Sequence, residues 1–255
     1  MIHTEVRNEN IFWITIDDPA SRNAMDPQTM EGLTEAWKHF GRTPELRVAV
    51  VTGAGEKSFC AGANLKKLVP LIQAGEMNAR DNQEAYMKGD IEPVDKPVIA
   101  AINGDCMGGG FELMLATDIR ISADHARFGL PEVTLGLFPA GGGTARLPRQ
   151  VSHANAMEIL MGGEFFGPER AERIGLINRV VPYAELEDAA MAMATQLAKN
   201  GPVAVQRVKR SVREGRDLDL AGAVEVELEL ANGVFADDEA AKGLAAFAEK
   251  RRPEF

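Results

Sequence analysis

Lys96-Pro97-Val98-Ile99-Ala100-Ala101-Ile102-Asn103-Gly104, followed closely by Gly108-Gly109-Gly110-Phe111-Glu112, is the stretch on which the fold turns. Residues 96–102 read as a strand, because a short unbroken apolar run is the pattern of a strand buried on both faces. Asn103-Gly104 is a turn signal. A helix is expected to begin around Gly109 and to carry Glu112, Leu113 and Leu115, and residues 119–123 read as the next strand. Upstream, Val48-Ala49-Val50-Val51-Thr52-Gly53 repeats the buried-strand pattern. Strand and helix alternate through residue 125, which predicts a largely parallel α/β arrangement.

Working outward, residues 2–7 and 11–16 form an expected hairpin around Asn8-Glu9-Asn10. Asp17-Asp18-Pro19 ends the second strand, and a helix capped near Asp26-Pro27 places Met30, Leu33, Trp37 and Phe40 on one face. Core packing accounts for that stripe. Gly53-Ala54-Gly55-Glu56-Lys57-Ser58 superficially resembles a phosphate loop, but Glu56 stands where that motif needs glycine, so a turn is expected. Residues 64–92 are polar and helix-prone up to Pro93, and Gly141-Gly142-Gly143 opens a helix over residues 144–147. Residues 185–199 form an amphipathic helix candidate, Asn200-Gly201-Pro202 interrupts it, and residues 203–250 read as wholly helical. The expected division is a core over residues 1–195 and a helical region over residues 196–255.

Composition narrows the function. The chain has 255 residues, 45% hydrophobic and 26% charged, enough for a sizeable core in one domain or one domain with an appendage. A net charge of −10 disfavours nucleic acid as a partner, which wants a basic face. Lys66-Lys67 and Lys250-Arg251-Arg252 remain as local cations for an anionic small molecule, although either also fits a solvated surface. Two cysteines, Cys60 and Cys106, give no disulfide framework, and the four histidines lack ligand spacing, so no metal is expected. No membrane partner is expected: the start carries no secretory leader and no apolar run is long enough to cross a bilayer, which points to the cytoplasm.

The chemistry is expected at the glycines. A helix starting at Gly109 has unpaired N–H groups and a positive dipole end, and missing side chains let a substrate oxygen approach closely. Such a donor contributes about 3 kcal/mol when charge develops on that oxygen. A second donor is sought in Cys60-Ala61-Gly62-Ala63, a small-residue turn just past a buried strand. Glu112 lies about one helical turn beyond Gly109. Glu132, in Phe128-Gly129-Leu130-Pro131-Glu132, follows twenty positions later. Two acids beside a bound carbonyl can divide labour, one activating water and the other donating a proton. Alone, either reads better as an ordinary exposed helix or loop residue; together with the two glycine-rich strand ends they favour function. Cys60 has no base and reads as a packed thiol.

Ser58-Phe59-Cys60-Ala61-Gly62-Ala63-Asn64-Leu65, residues 96–110, Phe111-Glu112 through Asp118, and residues 128–149 together resemble the enoyl-CoA hydratase/isomerase (crotonase) superfamily. The similarity runs from Arg22-Asn23-Ala24 to the Phe247…Lys250-Arg251 tail. The resemblance implies a spiral of ββα units with a C-terminal helical trimerisation region, assembled as a homotrimer or a dimer of trimers. It implies an acyl-CoA substrate, with coenzyme A part of that substrate and no tightly bound cofactor, whose thioester carbonyl sits between the amides of Ala63 and Gly109. Arg22, Ala24, Ala61, Asn64, Leu65 and Lys66 match positions along the coenzyme A and acyl path. Phe247 and Lys250 match tail positions that complete its nucleotide end. Carboxylates at both Glu112 and Glu132 match the hydratase pattern, with Glu112 activating water for C3 and Glu132 holding that water and supplying the C2 proton. One departure stands out: the family's usual Ala-Gly-Ala-Asp reads Ala61-Gly62-Ala63-Asn64. The expected activity is reversible hydration of an enoyl-CoA. The rivals are an enoyl-CoA isomerase working through Glu132 and a non-catalytic, RNA-binding protein of the same fold.

Overall fold

A computed structural model of the chain describes residues 1–76, 91 and 93–255. The N-terminal hairpin forms as expected: β1 (Ile2–Arg7) pairs antiparallel with β2 (Ile11–Ile16), Ile2 opposite Ile16. β2 then pairs parallel with β3 (Val48–Gly53), whose six residues are all buried. The order β1-β2-β3-β5-β7-β9 continues through β5 (Val98–Ile102), β7 (Ile119–Ala123) and β9 (Arg179–Val181). The strand expected from residue 96 begins at Val98 because Lys96 has another task. Its buried Nζ donates to Phe40 O at 2.9 Å and Thr43 O at 2.6 Å, tying down the end of α1 (Pro27–Arg42).

A second, shorter sheet is built from β4 (Ser58–Cys60), β6 (Asp105–Met107) and β8 (Phe128–Gly129), all parallel. Each long strand is followed by a short one and then by a helix: β3 and β4 lead to α2 (Leu65–Gln73), and β5 and β6 lead to α3 (Gly109–Leu115). After β7 and β8 the third turn of this ββα spiral is a 3-10 helix, Pro131–Leu135. Of the helix-prone span over 64–92, Leu65–Gln73 is helical; residues 77–90 and 92 lie outside the described residues.

Helix α1 starts where Asp26 Oδ1 accepts from Thr29 N at 2.8 Å, and its Met30, Leu33, Trp37 and Phe40 stripe is buried in the main core. After α4 (Gly143–Arg146), α5 (His153–Gly162) and α6 (Pro168–Arg173), α7 (Leu186–Ala198) covers the opposite face of the large sheet. Ala190, Ala194 and Ala198 let it lie close against Val48, Val50, Ile99 and Ile121. The tail expected to be wholly helical is divided into α8 (Pro202–Gly215), α9 (Leu220–Phe235) and α10 (Asp238–Ala248). The divisions fall where Asp219 and Asp237 cap the next helix rather than extend the last. No helix among the described residues is long and apolar enough to cross a membrane.

Candidate active site

The two glycine turns at the ends of β4 and β6 touch. Gly62 has φ +86°, and a Cβ added there would lie 2.8 Å from Met107 O and 2.9 Å from Gly109 N. Only glycine permits that approach. Backbone bonds from Met25 N to Gly62 O (2.7 Å) and from Asn64 N to Met25 O (2.8 Å) hold the first turn flat against the chain entering α1. Gly108, with φ +51°, enters α3 while its amide donates to Gly129 O at 3.0 Å. Among the described residues, neither the Ala63 amide nor the Gly109 amide is used in the sheet or helix bonding. Both turns open onto the same cavity.

Glu112 projects from the first turn of α3 and is 4% exposed, not the exposed helix residue that its polarity alone would suggest. Its Oε1 accepts from Gly143 N at 2.8 Å. Burial pushes its carboxyl up to about 7, and repulsion from Glu132 pushes the same way; the Gly143 and Gly141 amides and the Arg146 charge oppose them. Burial likewise raises Glu132 above the usual carboxylate range. Glu132 Oε2 is buried without a hydrogen-bond partner. An unsatisfied buried carboxylate oxygen is costly unless a proton, water or ligand meets it. Two acids whose environments favour the neutral form will share protons rather than both ionise.

Ala61, Ala63, Gly108, Gly109, Glu112 and Glu132 form the reactive end of a cavity of about 330 Å³. Its outer wall is apolar, with Leu65, Ile72, Leu135 and Phe138. A larger cavity of about 620 Å³ lies between α8 and the core beside Asp118 and Lys209, and neither carboxylate lines it.

The structure therefore brings together Glu112, Glu132, Ala63, Gly109, Ala61 and Leu65. Ala24 is buried two positions from Arg22, whose left-handed φ of +57° leaves its guanidinium largely exposed, 3.4 Å from Asp105 Oδ2. Asn64 is the N-cap residue of α2, and its side chain makes no capping bond. Lys66 is exposed, while the adjacent Lys67 pairs with Asp26. Phe247, 81% exposed, and Lys250 do not line the cavity. Sequence reasoning missed Gly143: its glycine run was legible, but the contact across thirty-one residues was not. It also missed the apolar wall of Leu135, Leu137 and Phe138, whose signal was three large apolar residues left exposed in a short loop.

The model of the enoyl-CoA hydratase/isomerase family matches residues 6–255. The chain belongs to that family. Other members include (E)-benzylidenesuccinyl-CoA hydratase of Thauera aromatica, 40% identical over 98% of this chain and 97% of that protein. Carnitinyl-CoA dehydratase of Escherichia coli strain K12 is 41% identical over 97% of this chain and 95% of its own length. Among solved structures, an enoyl-CoA hydratase from Bacillus anthracis superposes with a TM-score of 0.92 at 35% identity, covering 100% of this chain and 98% of that one. An enoyl-CoA hydratase from Polaromonas sp. JS666 gives a TM-score of 0.92 at 32% identity over 99% and 98%. The ββα spiral of this chain is the crotonase fold of those enzymes.

Proposed function

We propose that the protein is a hydro-lyase that adds water reversibly across the 2,3 double bond of an enoyl-CoA thioester, or in reverse dehydrates a 3-hydroxyacyl-CoA. The observation that carries this reading is the cavity shared by buried Glu112, half-buried Glu132 and two unused amides. Relatives that are hydratases and dehydratases of CoA thioesters support it.

In the forward direction the Ala63 and Gly109 amides hold the thioester oxygen and stabilise the enolate as charge moves onto it. Glu112, as carboxylate, takes a proton from water while the water oxygen bonds to C3. Glu132, protonated and orienting that water, gives its proton to C2. One proton passing from Glu112 to Glu132 resets the pair, so the acid–base balance closes without another group. The presence of Glu112, beyond the single carboxylate a proton shuttle needs, favours hydration over double-bond isomerisation.

The acyl group sits against Leu65, Ile72, Leu135 and Phe138, which favours a neutral, apolar chain over a charged one. Arg22 and Lys66 lie along the coenzyme A path as cations for its phosphates, with Ala24, Ala61 and Asn64 beside them. Phe247 and Lys250 serve the site of a neighbouring subunit in a homotrimer or dimer of trimers. Exposed apolar residues on the tail, Val208, Val212, Leu220, Phe235 and Phe247, support burial by another copy. The whole activity needs only the acyl-CoA and water, in the cytoplasm. The test is crotonyl-CoA hydration, followed as loss of the conjugated-thioester absorbance. Catalysed loss is expected; an inert protein that instead moves a 3-enoyl double bond would overturn the reading.

A further inference from the structure

The helix that presents the Gly109 amide and Glu112 is gripped at its far end by a buried guanidinium. Arg120 is 7% exposed. Its Nε donates to Met114 O at 3.0 Å and its Nη1 to Leu176 O at 2.8 Å. Its Nη2 donates to Leu115 O and Thr117 O, both at 3.1 Å, and to Gln150 Oε1 at 2.7 Å. Gln150 Nε2 donates in turn to Leu115 O at 2.9 Å. Met114 and Leu115 end α3; Met114 O also accepts from Thr117 N at 3.0 Å and Thr117 Oγ1 at 2.7 Å, while Leu115 O is met by Arg120 and Gln150. None of the hydrogen-bond acceptors of this cation is a carboxylate, so the arrangement serves backbone placement rather than ion pairing.

The geometry of the other end makes this grip consequential. Helix α3 has seven residues, on the order of 10 Å of rise. It behaves as one short rod: a tilt at Leu115 moves Gly109 and Glu112. At the N-terminal end the Gly109 amide faces the cavity, and the restraints are Gly108 N on Gly129 O at 3.0 Å and Gly143 N on Glu112 Oε1 at 2.8 Å, so the helix is seated by contacts at both ends. The opposite end is tied through one guanidinium to the strand β7 that carries it, to the approach to β9, and to the segment after α4. Arg120 also places positive charge where the helix dipole is negative.

We infer that Arg120, together with Gln150, is a positioning residue that sets where the Gly109 amide and the Glu112 carboxylate stand against the reacting thioester. The inference rests on the oxyanion role proposed above for Gly109. A misplacement of about 1 Å at a reacting centre costs up to about a hundredfold in rate. Lysine cannot replace the arginine fork, because its point charge does not reach carbonyls on three sides.

The test compares wild type with Arg120→Lys and with Gln150→Glu, which keeps an acceptor for Arg120 but removes the donor to Leu115 O. Two quantities are read on folded protein well below its melting temperature. The first is kcat and KM for crotonyl-CoA hydration. The second is the infrared carbonyl stretch of bound butyryl-CoA, a saturated thioester that cannot be hydrated and reports hydrogen bonds to its oxygen. Expected is a fall in kcat of about tenfold to a hundredfold, a KM within about twofold, and a bound carbonyl stretch moved back toward the free value. Soluble variants with wild-type kcat and carbonyl stretch, differing only in melting temperature, would overturn the inference. Should Arg120→Lys fail to fold, Gln150→Glu decides the matter by the same two readouts. A wild-type protein that binds butyryl-CoA with no carbonyl shift would instead sink the oxyanion reading itself.

Discussion

Replacing Gly62 by alanine isolates the contact between the two turns. The residue sits at φ +86°, a region that costs an L-residue about 1–2 kcal/mol. The new Cβ would meet Met107 O at 2.8 Å and Gly109 N at 2.9 Å, backbone atoms rather than flexible side-chain ends. One turn must therefore move, carrying the Ala63 amide or the Gly109 amide off the line to a bound oxygen. Loss of one aligned donor costs about 3 kcal/mol at the transition state, on the order of a hundredfold to a thousandfold in kcat. The control is Gly55→Ala: φ there is +76°, and an added Cβ meets nothing within 4 Å. It shares the backbone strain and lacks the clash. Gly55→Ala should lose on the order of 1–2 kcal/mol in thermal or urea unfolding and Gly62→Ala at least as much, while only Gly62→Ala loses crotonyl-CoA hydration. A folded Gly62→Ala enzyme with near-wild-type kcat would refute the two-amide arrangement.

Other outcomes follow from the same geometry. Glu112→Gln and Glu132→Gln should each lower hydration by about a hundredfold or more with unchanged circular dichroism; wild-type turnover in either would remove its assigned role. Because Glu112 acts as carboxylate and burial pushes it up to about 7, kcat should fall as pH drops through that region. Glu112 and Glu132 resist ionising together, and Glu132→Gln removes that coupling, so the titration of Glu112 should move toward lower pH, measured by carbon-13 NMR of the labelled carboxyl. The stability effect has the opposite sense to that of an ion-paired acid. Glu112 rises from 4.5 to about 7 on folding, so the folded state holds more protons across that window and stability falls as pH rises through it. Glu112→Gln should therefore be more stable to unfolding than wild type at pH 8, by on the order of 3 kcal/mol, and show no such gain near pH 4; an equal gain at both pH values would contradict the assignment. Finally, kcat/KM should rise about fourfold per methylene from crotonyl-CoA to longer 2-enoyl-CoAs while the apolar wall is being covered, about 0.8 kcal/mol each, and a flat series would argue against that wall as the acyl site.

Five strands of the large sheet were legible because their signal is local; β9, three residues long, was not. Residues 48–53 and 98–102 are continuous apolar runs bounded by glycine or proline and glycine, and they can be buried only as strands. The short strands of the second sheet were not legible: two or three residues, such as Phe128-Gly129, carry no period from which to count. Helices α5 and α6 escaped for a related reason, since Met161 on α5 is exposed and the apolar positions do not mark one clean face. In the site, Gly109 and Glu112 belong to one local motif, and spacing alone placed them a turn apart. Glu132 reached the same cavity only because β8 pairs parallel with β6, a fact of sheet order. The Gly143 amide on Glu112 depends on a loop returning from thirty-one residues away, and no local rule encodes it.

The arrangement also accounts for why this region carries so many small residues. Two parallel strands of a short sheet must deliver two amides to one oxygen; Gly62 and Gly110 are positions where a side chain would push the backbones apart, and Gly108 is one where it would displace the Glu132 carboxylate. A Cβ on Gly110 would meet Cys60 O at 2.2 Å, and one on Gly108 would meet Glu132 Oε1 at 3.0 Å. The same close packing that brings the amides together shuts water away from the carboxylates, and that dehydration is the leading cause of their raised proton affinity. Donor placement and acid tuning are thus one structural event. Substitutions that loosen the turns should weaken oxyanion stabilisation and return the glutamates toward ordinary acidity together, so the acid limb of the rate profile and the bound carbonyl stretch should shift in concert across a series at Gly62, Gly108 and Gly110. A variant that moves one readout strongly and leaves the other at its wild-type position would separate the two effects and break this account.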